Sequence, residues 1–174
     1  IPHDYQRESI DWLTSHRRPG LSAPSGGAKT VCTLTALEHL NMVEPVYPAL
    51  ILAPLRVANM TWPAEVHKWQ HTEHLRVSAI AGRKNPATSA TRADRAKALA
   101  TPADIYTMPY DSLDWLVDHC GSNWPFKTVV ADELSRLKSY RTRQGGPRAA
   151  PLPKVAHTDV HRFRRLTGTP AANG

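Results

Sequence analysis

The chain has 174 residues, the length of one ordinary domain, and its 41% hydrophobic and 21% charged residues exclude a disordered chain. Its longest apolar run, residues 49–53, is far shorter than the roughly 18 residues that span a bilayer. Two cysteines are too few for a disulfide scaffold, so we expect an intracellular domain. Lysines and arginines number 22 against 15 acids, and the resulting formal charge of +7 favours a polyanionic partner such as nucleic acid. A solvated basic surface explains the charge equally well.

Helix-like and strand-like segments alternate along the chain. In chain order, the apolar patterns predict helix 4–14, strand 21–23, helix 30–40, strand 47–53, helix 57–69, strand 76–80, helix 91–100, strand 103–107, helix 112–119, strand 127–131 and strand 163–166. Strands that alternate with helices at this spacing imply parallel βαβ units with helices on both faces of the sheet. Ligands of such sheets bind at the carboxyl ends of the strands, so functional residues are expected directly after strands.

A glycine-rich segment, residues 23–30 (APSGGAKT), lies between a predicted strand and a predicted helix. Glycines let successive backbone N–H groups turn around an anion, Lys29 has the length to reach outer phosphates, and the Thr30 hydroxyl can bind Mg²⁺. The dipole of the following helix favours the same negative charge. The strict phosphate-loop pattern has glycine where this chain has Ala23 and Ala28, so an ordinary glycine-rich turn is the alternative.

Two adjacent carboxylates, Asp132 and Glu133, follow the predicted strand 127–131. Hydrolysis of a phosphoanhydride needs one carboxylate to hold Mg²⁺ and a second to orient and deprotonate the attacking water. An acidic turn is common by itself. Its occurrence together with the glycine-rich segment favours a nucleotide-hydrolysing site.

Five motifs follow one another along the chain: Gln6, residues 23–30, residues 53–56 (APLR), residues 132–135 (DELS) and residues 166–170 (LTGTP). Their order resembles the first RecA-like lobe of superfamily-two helicases and is most similar to Swi/Snf-like DNA translocases of phage and bacterial type. The resemblance implies an α/β fold, a three-layer RecA-like P-loop domain with a mostly parallel central sheet, over residues 1–174. It also implies a second RecA-like lobe, absent from this chain, and a place in the cytoplasm of a bacterium or phage-infected host cell.

The same resemblance implies a site for ATP and Mg²⁺. Lys29 matches the lysine on the β and γ phosphates, and Thr30 and Asp132 match the residues that hold Mg²⁺. Glu133 matches the general base. The other residues expected to contact the nucleotide are Gln6, which matches the glutamine that reads adenine, and Ser25, Gly26, Gly27 and Ala28.

The resemblance also implies contacts with the backbone of DNA, double-stranded or branched. Residues 54–57 and 108–110 match segments that touch nucleic acid, and Arg56 is the expected phosphate contact. A surface residue at the start of a helix is the alternative for Arg56. Thr167 and Thr169 match the motif that couples the nucleotide site to the nucleic-acid site.

Three departures from the family's pattern bear on these expectations. Ala28 stands where the family has glycine, which costs roughly 1–2 kcal/mol if the backbone there needs φ above zero and little if it is near-helical. Residues 147–153 contain three prolines where the family has a helix, so a loop is expected. Arg164 and Arg165 lie in a strand that should be buried, so either the strand is short or its side chains reach an edge.

The leading hypothesis is the ATP-binding lobe of a DNA-dependent ATPase, a helicase-like translocase that is inactive or weakly active without its second lobe. The alternative is a non-catalytic nucleic-acid-binding or assembly module with a degenerate nucleotide site. Gln6 and residues 167–170 disfavour a third possibility, a small kinase. His67, His71 and His74 have the spacing of a metal site on one helix face, but no cysteine pair accompanies them, which disfavours metal binding.

Overall fold

A parallel β-sheet with helices on both faces forms the part of the chain that the computed structural model describes, residues 3–16, 20–22, 28–80, 92–132 and 162–167. The helices are α1 (Asp4–Ser15), α2 (Ala28–Asn41), α3 (Trp62–Lys68), α4 (Arg92–Ala100) and α5 (Leu113–Cys120). The strands are β1 (Gly20–Ser22), β2 (Ala49–Ala53), β3 (Val77–Ala79), β4 (Ile105–Pro109), β5 (Thr128–Asp132) and β6 (Arg162–Thr167). A π-helical turn, Val57–Thr61, precedes α3, and a 3-10 turn, Tyr110–Ser112, precedes α5.

The six strands lie in the order β1-β6-β5-β2-β4-β3, and every neighbouring pair is parallel. Every residue of β2, β4 and β5 is buried, because these strands lie inside the sheet and are covered on both faces. Parallel strands place all their carboxyl ends at one edge. At this edge, which is formed by the carboxyl ends of the strands and not by an outermost strand, the segments that follow β1, β2, β4, β5 and β6 begin.

Alternate side chains of the strands pack against two helical layers. On one face, Ile51 and Val130 pack in a buried cluster with residues of α1, α2 and α3. On the other face, Leu50 and Val129 pack with residues of α5 and with partly buried residues of α4. The period of two along each strand therefore produces three layers. The predicted α/β three-layer fold with a mostly parallel sheet is confirmed.

The sequence predicted every α-helix and β-strand of the described residues, and two of the predicted bounds differ in an informative way. Strand β4 begins at Ile105 rather than at residue 103. Asp104 is engaged in the turn before it, where its carboxylate accepts hydrogen bonds from the backbone N–H and the guanidinium of Arg76. Ala103 donates its N–H to the Tyr106 hydroxyl at 3.1 Å. Side chains thus take the backbone N–H groups of Arg76 and Ala103, which a longer ladder would need, so the strand starts later.

The predicted helix 57–69 is divided at its proline. Pro63 is the second residue of α3 and has no N–H to donate to a carbonyl four residues earlier, so an α-helical ladder cannot run through it. The residues before it form the π-helical turn, in which the N–H of Trp62 donates to the carbonyl of Val57. Such turns occur frequently at functional sites.

The strand that carries Arg164 and Arg165 is neither short nor at an edge. Strand β6 has six residues and pairs with β1 on one side and β5 on the other, so the expectation of a short strand was wrong, whereas the side chains of Arg164 and Arg165 lie outside the described part. Parallel pairing on both sides fixes the backbone irrespective of these two residues. The proline-containing residues 147–153 lie outside the described residues. None of the helices in the described ranges is long and apolar enough to cross a membrane.

Candidate nucleotide and nucleic-acid site

The sheet register aligns the ends of three neighbouring strands, β1, β6 and β5, at which three of the predicted motifs begin. Ser22, the last residue of β1, lies beside Thr167 of β6, and Leu166 of β6 lies beside Asp132 of β5. Neighbouring strands are about 4.8 Å apart, so the ends of β1 and β5 are separated by roughly two such spacings. The side chain of Thr167 and all of Thr169 lie outside the described residues.

Helix α2 begins at the carboxyl ends of the strands, because Leu37 and Leu40 near its other end pack with Ala49 at the start of β2. Ala28 is its first residue, and Lys29 and Thr30 follow in the first turn, where both side chains are half-buried. The hydroxyl of Thr33 donates to the carbonyl of Lys29 at 2.8 Å. A helical backbone at Ala28 is one that alanine adopts without strain, which answers the question left open by the sequence. Residues 25–27 lie outside the described part.

Asp132 is a buried carboxylate at the end of β5, with 7% of its surface exposed. It follows Val130 by two positions, and Val130 packs in the cluster that contains Cys32 and Leu34 of α2. Because side chains two apart share a face, Asp132 lies on the face that α2 covers. A carboxylate and a threonine hydroxyl are oxygen donors of the kind Mg²⁺ prefers, so Asp132 and Thr30 fit this ion. Glu133 lies outside the described residues.

Two aromatic residues contact Asp132, Trp62 and Tyr110; the sequence placed Tyr110 only in a segment expected to touch nucleic acid and gave Trp62 no site role. The indole N–H of Trp62 donates to Oδ2 of Asp132 at 3.0 Å. The hydroxyl of Tyr110 donates to the backbone carbonyl of Asp132. Buried tryptophans and tyrosines usually find hydrogen-bond partners, but nothing in sequence spacing identifies which partner they find. Only the three-dimensional register shows that both meet Asp132.

Gln6 lies in the first turn of α1, and α1 packs against α2. Its side-chain carbonyl accepts a hydrogen bond from the backbone N–H of His3 at 2.8 Å. The Cys32 thiol of α2 donates to the backbone carbonyl of Gln6 with a sulfur–oxygen distance of 3.8 Å. This contact holds the first turn of α1 against the helix that carries Lys29. Burial raises the pKa of the Cys32 thiol, so the group is a neutral donor.

Arg56 lies beyond the carboxyl end of β2 and is exposed. It immediately precedes the π-helical turn and has a helical backbone itself, and the Ala58 N–H of this turn donates to the carbonyl of Pro54 at 2.9 Å. Pro109 pairs with Ala53 in the register, so the segment after β4 leaves the sheet beside the segment that carries Arg56. An exposed arginine here is accessible to an anionic partner.

The three histidines that share helical spacing do not converge. Helix α3 ends at Lys68, so His71 and His74 lie beyond it. His71 Nε2 hydrogen-bonds the Thr35 hydroxyl at 2.8 Å, and His74 lies 3.2 Å from a carboxylate oxygen of Glu38. Among the described residues there is no group of three or more histidine, cysteine or acidic side chains arranged to hold a metal.

Residues 5–174 match the family model described as the SNF2-related domain. The chain belongs to this family. Protein p41 of Acyrthosiphon pisum secondary endosymbiont phage 1 is 46% identical over 174 residues, which are 99% of this chain and 36% of p41. The ATP-dependent DNA helicase DDM1 of Arabidopsis thaliana is 27% identical over 173 residues, 97% of this chain and 21% of DDM1. The SNF2-related chain thus spans about a third or less of each of these relatives.

A solved structure also shares the fold. The chain matches a nuclease-deletion mutant of the Type ISP restriction-modification enzyme LlaGI, solved in complex with a DNA substrate mimic, with a TM-score of 0.64. The match covers 99% of this chain and 18% of LlaGI at 17% identity. At this identity the likeness shows the fold alone. The resemblance to a Swi/Snf-like first RecA-like lobe is confirmed.

Proposed function

We propose that the SNF2-related chain is the ATP-binding lobe of a DNA-dependent ATPase of the helicase-like translocase type. One observation carries the proposal. The first turn of α2, with Lys29 and Thr30, and the buried carboxylate of Asp132 lie on the same face at the same edge of the sheet. A helix N-terminus, a lysine and an acidic residue at a strand end are the components that a site for a nucleoside triphosphate needs.

Each residue has a separate task in this proposal. Lys29 binds the β and γ phosphates, and the first turn of α2 adds backbone N–H groups and the favourable end of the helix dipole. Thr30 and Asp132 hold Mg²⁺, which when bound neutralises charge on the phosphates. Glu133 orients the attacking water and takes its proton, and Gln6 hydrogen-bonds adenine.

The nucleic-acid partner is proposed from charge and position. The formal charge of the chain is +7, and Arg56 is exposed at the edge that carries the nucleotide site. One relative is a DNA helicase by name, which supports DNA as the partner. We take double-stranded or branched DNA as the substrate and the cytoplasm of a bacterium or phage-infected cell as the location. Thr167 and Thr169 couple the two sites.

A second RecA-like lobe completes the enzyme in this proposal. Closure of two lobes on ATP, and their opening after hydrolysis, would move the protein along the phosphate backbone. An arginine from that lobe stabilises charge in the transition state, and its lack lowers turnover on the order of 10³-fold or more. We therefore expect the chain by itself to bind nucleotide and to hydrolyse it slowly or not at all.

The alternative is a non-catalytic nucleic-acid-binding or assembly module whose nucleotide site has degenerated. Its main support in the sequence was Ala28. Because Ala28 begins α2 with a helical backbone, the alanine is not by itself a reason for weak binding. The two hypotheses differ in one measurable outcome, since only the ATP-binding lobe predicts nucleotide binding that depends on Lys29.

A titration of a fluorescent ATP analogue in the presence of Mg²⁺ tests the proposed function. The chain is compared with Lys29→Ala and with Lys97→Ala, a matched control that removes an exposed lysine of α4 on the opposite face. We expect saturable binding in the chain and in the control, and a loss of at least about tenfold in Lys29→Ala, the size of one charge-assisted contact. Equal affinity in all three overturns the proposal and favours the module.

A further inference from the structure

Trp62 and Asp132 are joined by a buried hydrogen bond. Trp62 is the first residue of α3, and its side chain is completely buried. The indole N–H donates to Oδ2 of Asp132 at 3.0 Å. A hydrogen bond to an ionised acceptor is roughly twice as strong as one between neutral groups. A buried carboxylate also has little water to reorient it. The contact with Trp62 therefore constrains the direction in which the carboxylate of Asp132 points.

Tyr110 holds the same residue from the opposite face of the sheet. Its hydroxyl donates to the backbone carbonyl of Asp132, and its ring packs in the cluster against α5, whereas Trp62 packs in the cluster against α2. The two aromatic residues follow β2 and β4, which are different strands from the one they hold. Asp132 is thus fixed in both its main chain and its side chain by elements that belong to neither the glycine-rich segment nor β5.

We propose that Trp62 is a positioning residue for Asp132 in Mg²⁺ binding, an inference that rests on the proposed function. A carboxylate has about four acceptor positions, so one indole N–H orients it without using its capacity to bind an ion or an ion-bound water. Mg²⁺ demands near-ideal octahedral geometry, so an oriented oxygen binds it better than a rotating one. Groups that orient metal ligands typically change metal affinity by about 10–100-fold.

The test variant is Trp62→Phe, which keeps an aromatic ring and removes the indole N–H. The matched control is Trp124→Phe, because the Trp124 N–H is buried with no hydrogen-bond partner among the described residues and its ring packs against Phe126. Tyr110→Phe, which loses only a hydroxyl, is a milder variant that remains informative if Trp62→Phe fails to fold. Circular dichroism and thermal melting establish which variants fold.

Two readouts separate positioning from a structural role. One is the Mg²⁺ concentration at half-maximal binding of the fluorescent ATP analogue, and the other is affinity for the analogue in EDTA. We expect Trp62→Phe to raise the Mg²⁺ midpoint about tenfold or more and to leave affinity in EDTA within about twofold, with Trp124→Phe near the parent in both. Tyr110→Phe should raise the midpoint about threefold, the effect of one neutral hydrogen bond.

Asp132→Asn completes a double-mutant cycle. Since Trp62 acts through Asp132, Trp62→Phe should add little to the effect of Asp132→Asn. A normal Mg²⁺ midpoint in Trp62→Phe and Tyr110→Phe overturns the inference, and so does an equal loss of affinity with Mg²⁺ and with EDTA. Binding by the parent that is unchanged in Lys29→Ala overturns the proposed function itself, and the inference with it. The two failures are therefore distinguishable.

Discussion

The side-chain carbonyl of Gln6 accepts a hydrogen bond from the backbone N–H of His3 at 2.8 Å. His3 precedes α1, and its own carbonyl accepts from the N–H of Gln6 at 2.9 Å. The two residues thus satisfy each other's backbone and side-chain groups as in a capping box, a device that stabilises the start of a helix. Gln6 therefore has a structural task beside the proposed contact with adenine. An amide oxygen has two lone pairs, so the hydrogen bond from His3 does not exclude a contact with adenine.

The first prediction separates these two tasks with Gln6→Glu. Glutamate keeps the oxygen that accepts from His3 and lies favourably in the first turn of a helix, so the free energy of unfolding should change by less than about 0.5 kcal/mol. It loses the amide donor that would bind N7 of adenine. We expect the ratio of ATP affinity to 7-deaza-ATP affinity to fall about tenfold, because 7-deaza-ATP lacks N7, and a ratio avoids the effect of added charge on both nucleotides.

Gln6→Ala is the comparison for this prediction, because it removes the cap and the adenine contact together. It should lower the free energy of unfolding by about 1 kcal/mol, the usual value of a helix cap, and lower the nucleotide ratio as well. Urea unfolding and competitive titrations measure the two quantities. An unchanged ratio in both variants would mean that Gln6 serves α1 alone.

The second prediction concerns Ala28→Gly. Since Ala28 begins α2 with a helical backbone, glycine relieves no strain there, and affinity for the ATP analogue should remain within about twofold. The free energy of unfolding should fall by up to about 1 kcal/mol, because glycine loses more backbone entropy in a helix. Ala93→Gly, at the second position of α4 and exposed, is the matched control for this loss. A tenfold gain in affinity would show that alanine strains the loop after all.

The sequence was sufficient for the fold because its signals are local. Each of the three inner strands is an apolar run covered on both faces, and α1 buries Ile10 and Leu13, which are three positions apart on one helix face. The signals for Lys29 and Asp132 are also local. Lys29 lies at the end of a glycine-rich segment, and Asp132 lies at the end of an apolar strand. Positions in a motif are defined along the chain, so local reasoning finds them.

The contacts that join distant elements were beyond such reasoning. Trp62 lies in a sequence that indicates only an apolar helix, and its hydrogen bond to Asp132 depends on the register of β2 against β5. The strand with Arg164 and Arg165 shows the reverse error, since its charges indicated that it could be short, whereas it has six residues and pairs on both sides. Both outcomes depend on strand order, which no single segment encodes.

The third prediction is a pH dependence at the junction of β3 and β4. The Arg76 guanidinium donates to both carboxylate oxygens of Asp104, at 3.1 Å each, and these hydrogen bonds hold the pKa of Asp104 below its ordinary value against the opposing effect of partial burial. The ionised carboxylate is therefore the form that stabilises the fold. Its contribution is complete above the unfolded-state pKa of about 4 and is lost as the pH falls through the lower folded-state pKa.

Asp104→Asn tests this dependence, because asparagine keeps one acceptor oxygen without the charge. We expect a lower urea midpoint than in the parent at pH 7 and a difference that shrinks as the pH falls below about 4. Asp118→Asn, an exposed position of α5, controls for the change in net charge. A difference that persists in acid would assign the effect to shape and hydrogen bonding and would contradict the electrostatic account.

The last prediction tests Arg56 as a contact with the DNA backbone. A side chain that binds one phosphate displaces the counterions of that phosphate, so its removal should reduce the slope of log K against log salt by about 0.9. Arg56→Ala should bind duplex DNA more weakly with this smaller slope, and should bind the ATP analogue like the parent. Lys97→Ala also loses one positive charge, but from α4 on the opposite face. Anisotropy of a labelled duplex between about 50 and 200 mM salt measures both slopes. Equal slopes in the two variants would mean that Arg56 contributes only to the net charge of the chain. A direct phosphate contact is what distinguishes one exposed cation from another.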